Sequence, residues 1–208
     1  MITEQPRYVA LSDFRRYLSA NNNDLSGDED DLLTDCLVIA EHQIDNYTRR
    51  NFAGTTGTVY YSRWTALIRN TALYLADGDE LYGLPANGTV FGGDGRQIPR
   101  GSIWLEPRNA GPPYKIIRLY SPFVWVFNTD GEIAIPGTWG FSVTAPADIQ
   151  SATLELAAYV YRSKDVGPGQ GDIAGFDQAG QVVIPRGIPE SVRRRIEPYR
   201  RRSGGVVS

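Results

Sequence analysis

The sequence predicts an α+β protein: a small antiparallel helix bundle of two long and two short helices, with an antiparallel β subdomain inserted into it. Three observations predict this. Two long segments near the ends of the chain carry apolar residues at three- and four-residue spacing. Between them lies a tract of aromatic and β-branched residues broken by Gly, Pro, Asn and Asp. The last stretch returns to helical spacing. The expected division is a helical domain from residues 1–53 and 142–208, and an inserted β subdomain from residues 54–141.

In chain order, "YVALSDFRRYLSA" predicts a short helix with Ser12 as N-cap and Phe14, Tyr17 and Leu18 on one face. "NNNDLSG" reads as a loop by composition. "DEDDLLTDCLVIAEHQIDNYTRRNF" is the strongest helix. Leu33, Leu37, Ala40, Ile44 and Tyr47 form its stripe, acids crowd its first turn, and Arg49 and Arg50 its last, as the helix dipole favours. The predicted strands are "TVYYSRW", "TALYLA", "GSIWLEP", "YKIIRLY", "FVWVFN" and "EIAIPG", arranged as a meander or small barrel, and "NTDGE" is the clearest hairpin turn. After "TAPAD" a helix follows with Pro146 in its first turn and Ile149, Ala152, Leu156 and Val160 as its stripe. Residues 167–181 read as a mobile glycine-rich loop, "VVIP" as one short strand, and "SGGVVS" as a flexible tail. "IPESVRRRIEPYRRR" is a last helix, with Pro189 in its first turn, Val192 and Ile196 on one side, and Pro198 as its stop.

The junction "IPGTWGF" must end the last strand and turn the chain back to the helices. Gly137 and Gly140 are expected to supply backbone angles closed to other residues, and Trp139 to cover the seam.

Composition narrows the function. Apolar residues make up 41% and charged residues 22%, ordinary globular usage, so a sizeable core is available. The longest apolar run, "FVWVF", is too short to span a bilayer, and the N-terminus has no signal-peptide pattern. One cysteine, Cys36, leaves no internal disulfide, and one histidine, His42, leaves little for zinc or acid–base work. Cys36 is expected in the core, His42 on the exposed side. The acids of "DEDD" open a helix and lack the spaced oxygens of a calcium loop. "GPGQGD" follows a helix and lacks the Lys-Ser/Thr pair of a phosphate loop. Carboxylates are scattered through the β tract (Asp77, Asp79, Glu80, Asp94, Glu106, Asp130 and Glu132), and nothing in the sequence selects a catalytic pair. No catalytic residue, metal or cofactor is expected.

The charge is polarised. Net charge is −3, yet residues 186–208 carry seven arginines against Glu190 and Glu197. Arginine outnumbers lysine throughout, with Lys115 and Lys164 the only lysines. Its planar fork suits persistent contacts to carboxylates or phosphates, although a GC-rich genome produces the same bias.

The order of these segments resembles a known family. "YVALSDFRRYL", "IAEHQIDNYTRRNF", "PPYKIIRLY", "IPGTWGFSVTAPADIQSATLELAAYVYRSKD" and "IPESVRRRIEPYRR" follow one another as in the head–tail connector (adaptor, head-completion) proteins of tailed bacteriophages and prophages, the gp6-like group. The resemblance covers most of the chain, and the β insertion is larger than the hairpin of the simplest members. It implies a structural, non-enzymatic virion protein of the neck, made in the bacterial cytoplasm. The subunits would form a homo-oligomeric ring, typically a dodecamer, beneath the portal protein. The ring would extend the DNA channel and join the capsid to a downstream neck or tail-completion protein, with no membrane involved. DNA would pass without sequence-specific binding, through a lumen of mixed or acidic residues. Carried onto this chain, portal contact falls on Arg193, Arg194, Arg195, Tyr199, Arg200, Arg201 and Arg202, in a tail that orders on binding. Gly137, Trp139, Gly140 and Pro146 mark the structural junction. The alternative is a nucleic-acid-binding protein using the same Arg-rich C-terminus, with steep salt dependence.

Overall fold

The computed structural model describes residues 6–20, 29–86, 88–163, 175–176, 182–183 and 187–201. Among the described residues the chain is an α+β mixture of four helices and antiparallel sheets. It divides into two compact units, residues 1–50 with 145–208, and residues 51–144.

The first unit is helical. Helix α1 (Leu11–Ala20) buries Phe14 and Leu18, with Tyr17 half-buried. Its first turn closes on the Ala10 carbonyl, which accepts from the N–H groups of Asp13 and Phe14, so Ser12 lies inside the helix and is not the cap. The helix start is set upstream, where α2 pins the incoming chain. Helix α2 (Asp30–Thr48) buries Leu33, Leu37, Ala40 and Ile44 as expected, and also Cys36, Val38 and Glu41. Glu41 accepts from the backbone N–H of Arg7 at 2.8 and 3.0 Å and of Tyr8 at 2.7 Å. Asp45, one turn on, takes the Arg7 guanidinium at 3.1 Å and the Tyr8 hydroxyl. A carboxylate thus satisfies donors that the buried incoming backbone would leave orphaned.

The helix ends one residue before the arginines assigned to its last turn. Arg49 sits in the left-handed conformation at φ 56°, its N–H donating to the Asp45 carbonyl at 2.6 Å. Helix α3 (Ala147–Ser163) starts just after Pro146, whose carbonyl accepts the first helical bond, from Gln150 N–H. It buries Ile149, Ala152, Leu156, Ala157 and Ala158, and packs on α2, while Val160 is half-buried. The small residues let the two helices approach closely. Helix α4 (Glu190–Ile196) begins after Pro189, buries Val192 and Ile196 against α3, and passes into a 3-10 turn, Glu197–Tyr199, at Pro198.

The second unit is built on one long ladder. Strand β1 (Thr55–Ser62) pairs antiparallel with β9 (Glu132–Trp139) along its whole length, Thr55 opposite Trp139 and Ser62 opposite Glu132. On the other edge of β9 lie β4 (Leu81–Gly83) and β5 (Val90–Phe91), and β6 (Gln97–Ile98) pairs with β5. A second sheet runs β2 (Leu67–Arg69), β3 (Ala72–Tyr74), β8 (Ile116–Leu119), β7 (Ile103–Glu106). Both sheets contribute to one apolar core, with Tyr61, Leu81, Ile133 and Ile135 from the first and Leu73, Ile103, Ile117 and Leu119 from the second.

The arrangement is two sheets sharing a core, not a meander, because the first strand pairs with the last. "FVWVFN" is not a strand, and "NTDGE" is not a hairpin turn. Both edges of β9 are already paired, by β1 and by β4 and β5, so no ladder is left for the preceding segment. It packs through side chains instead. Trp125 is buried with its indole N–H on the Thr71 carbonyl at 3.0 Å, and Phe127 makes a single bridge to Gly93. Strands β2, β4, β5 and β6 are two or three residues long and escaped the sequence pattern. Val182–Val183 (β11) pairs with Gly175–Phe176 (β10), which falls within the stretch read as loop. The remainder of that stretch, "NNNDLSG" and the terminal "SGGVVS" lie outside the described residues.

Leu156→Ala is expected to lower the unfolding free energy by about 2–5 kcal/mol in a urea titration, because its site on α3 is fully buried. Glu41 generates a pH dependence. Burial pushes its carboxyl above the ordinary value of 4.5, against the opposing hydrogen bonds from Tyr8 and Arg7 and the Arg7 charge. The folded chain therefore binds this proton more readily than the unfolded chain. Its contribution is least favourable above the folded pKa and improves as the pH falls through it. Thermal melts should show the wild type gaining stability relative to Glu41→Gln as the pH is lowered from neutrality into the carboxylate range.

Candidate functional site

The Arg-rich C-terminal segment is folded, not a solvated tail, as far as Arg201. A helix of seven residues has little stability of its own, so packing must hold it. Val192 and Ile196 supply the apolar anchor. The polar anchors come from elsewhere in the helical unit. Arg195 donates to Glu155 at 3.0 Å and to the Ser151 hydroxyl at 3.2 Å, and Ser191 also donates to Glu155. Tyr47 of α2 donates to Glu197 and accepts from Arg193 Nε at 3.1 Å, while the guanidinium carbons of Arg193 and Arg200 lie 5.7 and 5.3 Å from its ring centroid. The hydrogen bond from Tyr47 and the arginines around it hold the exposed Glu197 carboxyl below its ordinary value. Tyr199 donates to Asp148 at 3.2 Å, its carbonyl accepts from Arg50 Nε at 2.6 Å, and Arg201 N–H donates to the Thr48 carbonyl at 2.8 Å. Burial, with the bond to Asp148, pushes the Tyr199 phenol up.

The predicted partner-binding residues therefore separate into two groups. Arg193, Arg195, Tyr199, Arg200 and Arg201 are engaged within the helical unit. Arg194 points away, exposed, and makes no hydrogen bond or ion pair among the described residues. Arg202 lies outside the described residues. The sequence reading missed Tyr47, Asp148 and Glu155 as the sockets of this segment. They lie 36 to 150 residues from their partners, and no local spacing connects them.

At the junction, Gly140 has φ 144° and its position is tightly overlaid: a Cβ there would come within 2.8 Å of Gly54 Cα. Gly137 differs from expectation. It lies inside β9, and its lack of a side chain makes room for β4, since a Cβ would meet Leu81 Cδ1 at 2.6 Å. Trp139 is the last residue of β9, half-buried against the β core, its indole N–H 3.3 Å from the Gly57 carbonyl.

The carboxylates of the β unit are dispersed among separate partners. Arg118 hydrogen-bonds Glu106 at 2.7 Å and holds its carboxyl below the ordinary value, the wrong direction for a general acid at neutral pH. Asp94 is likewise held down, its slight burial outweighed by hydrogen bonds from Arg96. Asp79 accepts from Tyr61 at 2.7 Å, and Glu80 is buried. Among the described residues no group of His, Cys, Asp and Glu is placed to hold a metal ion, and no helix is long and apolar enough to cross a membrane. His42 is exposed and Cys36 is buried.

The two groups of C-terminal residues predict different mutational costs. Ile196→Ala should destabilise by about 2–5 kcal/mol. Arg195→Ala should cost at most ~1 kcal/mol, as for a partly exposed ion pair. Arg194→Ala should leave the melting temperature unchanged. Differential scanning calorimetry of the three variants checks the order.

No family model and no curated protein matches the sequence. Solved structures do. A chain of the neck of the empty gene transfer agent (GTA) particle in C6 symmetry is 19% identical, with a TM-score of 0.59, covering 99% of both chains. A chain of the native GTA neck in C12 symmetry is 19% identical, with a TM-score of 0.54 and the same coverage. A chain from the virion of the native GTA particle is 20% identical, with a TM-score of 0.52, over 95% of this chain and 92% of that one. Helical unit and β unit together, the chain has the fold of a protein found in the neck of gene transfer agent particles.

Proposed function

We propose that the chain is a structural subunit of a phage-like neck: a head–tail adaptor of the gp6-like kind, without catalytic role, metal or cofactor. The observation that carries this reading is the likeness to GTA neck chains, which runs from end to end of both partners and includes the inserted β unit. The C6 and C12 symmetries of those necks favour a ring of copies, and a dodecamer beneath a portal protein is the form we assign. In this reading the ring extends the DNA channel, lets DNA slide without sequence-specific contacts, and presents its far side to a downstream neck or tail-completion protein. The subunit is made in the host cytoplasm and ends in the virion.

Portal contact is assigned to the segment of Arg193, Arg194, Arg195, Tyr199, Arg200, Arg201 and Arg202. The internal pairing refines the roles. Arg193, Arg195, Tyr199 and Arg200 hold α4 in place. Arg194 is the outward cation, able to form a bidentate pair with a portal carboxylate.

Mixing the protein with its cognate portal and imaging by negative-stain microscopy tests the reading. Rings seated on the portal are expected, and bare portals at protein concentrations well above micromolar count against it. Arg194→Glu should abolish ring docking while leaving the thermal melt unchanged. Docking that survives this reversal removes Arg194 from the interface.

A further inference from the structure

The outer face of the four-stranded sheet has an unusual surface. The ladder register places Arg69, Ala72, Arg118 and Trp104 in one row across β2, β3, β8 and β7, with Arg69 exposed, Arg118 and Trp104 half-buried and Ala72 buried beneath them. Trp104 stacks on the exposed Tyr120 with ring centroids 4.8 Å apart, and the Arg108 guanidinium carbon lies 4.0 Å from the Trp104 ring centroid. Arg69 lies over Tyr74 at 5.9 Å. At the β2 edge, the turn after β1 carries Trp64, which is 90% exposed, and Leu67 is 46% exposed.

A tryptophan with nine-tenths of its surface in water marks a surface that gains by being covered. Trp, Tyr and Arg are also the residues that dominate binding hot spots. The face is cationic. Arg63, Arg69 and Arg108 form no ion pair among the described residues, whereas Arg118 is neutralised by Glu106.

The same chain carries a complementary surface. The start of α2 places Asp31 beside Leu32, which is 36% exposed, while the neighbouring Asp30 pairs with Arg15 and Glu29 accepts from the Tyr161 hydroxyl at 3.1 Å. Asp31 is exposed and forms no ion pair among the described residues. An exposed apolar residue beside the unpaired carboxylate of Asp31 fits an aromatic face flanked by arginines, in charge and in hydropathy. The two surfaces are different, so a contact between them in successive copies is heterologous, the kind of contact from which rings are built.

We propose that the outer face of the four-stranded sheet, with Trp64 at its edge, seats on the acidic start of α2 of a second copy of this chain. The inference rests on the ring-forming reading above. It is preferred to a single-stranded nucleic acid on the same face because Arg108 and Arg69 already lie over the Trp104 and Tyr74 rings on which bases would stack.

The full chain is examined by sedimentation velocity across a wide concentration range at low ionic strength, and again at high salt. Salt-sensitive self-association is expected. Trp64→Ala, Arg69→Asp and Asp31→Arg should each weaken it about tenfold or more. The double variant Arg69→Asp/Asp31→Arg should recover most of the loss. Circular dichroism confirms that these exposed-site variants remain folded. A wild type that stays monomeric at low salt overturns the proposal, as does association insensitive to the reversals. So does a single-stranded oligonucleotide that binds with Trp64 and Arg69 dependence in place of self-association. Portal imaging separates this inference from the neck reading. Normal rings from Trp64→Ala overturn the interface and leave the neck role standing. Absence of wild-type rings overturns the neck role, and sedimentation then decides the interface alone.

Discussion

The pairing of the first strand of the insertion with its last is the constraint on which the rest depends. β1 and β9 run side by side for eight residues, so the chain enters and leaves the β unit at neighbouring points. Below the ladder the two chain passes are clasped. Gly54 N–H donates to the Ser142 carbonyl and Phe141 N–H to the Asn51 carbonyl, each at 2.7 Å, and Phe52 meets Phe141 edge-on at 5.4 Å. Closing so long a segment costs entropy that grows only logarithmically with its length. Once closed, it delivers α2 and α3 as if they were consecutive. Their stripes, Leu37 and Ile44 on one, Ile149 and Leu156 on the other, are then buried in one core.

This closure explains the two glycines of the junction by different causes. Gly140 takes a backbone angle that a side chain resists and is crossed at close range by Gly54. Gly137 has no such angle. It is small because Leu81 and Gly83 of a neighbouring strand lie against it. One is a requirement of backbone conformation and the other of packing, although the sequence shows only Gly in both places.

Electrostatics in the helical unit follow the same logic of distant partners. The chain's polarised charge resolves, at its C-terminal end, into discrete pairs: Arg195 with Glu155, Arg193 and Arg200 around Tyr47 and Glu197, Arg50 on the Tyr199 carbonyl. At the N-terminal end, Glu41 and Asp45 of α2 grip Arg7 and Tyr8. Both chain ends of the helical unit are therefore fastened to α2, the element with the strongest helical pattern. Arginines that read as a binding tail serve in large part to build the surface on which Arg194 is displayed.

The sequence by itself determined the α+β class, the four helices and the residues of their buried stripes, because a 3.6-residue period with flanking prolines is a local signal that survives without neighbours. It also determined the four longest strands, β1, β7, β8 and β9, through their β-branched and aromatic content. Only the tertiary structure decided which strands pair. "FVWVFN" has the composition of a strand but finds both edges of β9 taken, and two- or three-residue strands such as β4 and β5 exist only because β9 offers an edge to them. The sockets of the C-terminal segment and the row of Arg69, Arg118 and Trp104 were decided at that level too. A hydrogen bond or a cross-sheet row joins residues far apart in the chain, and periodicity carries information only about neighbours.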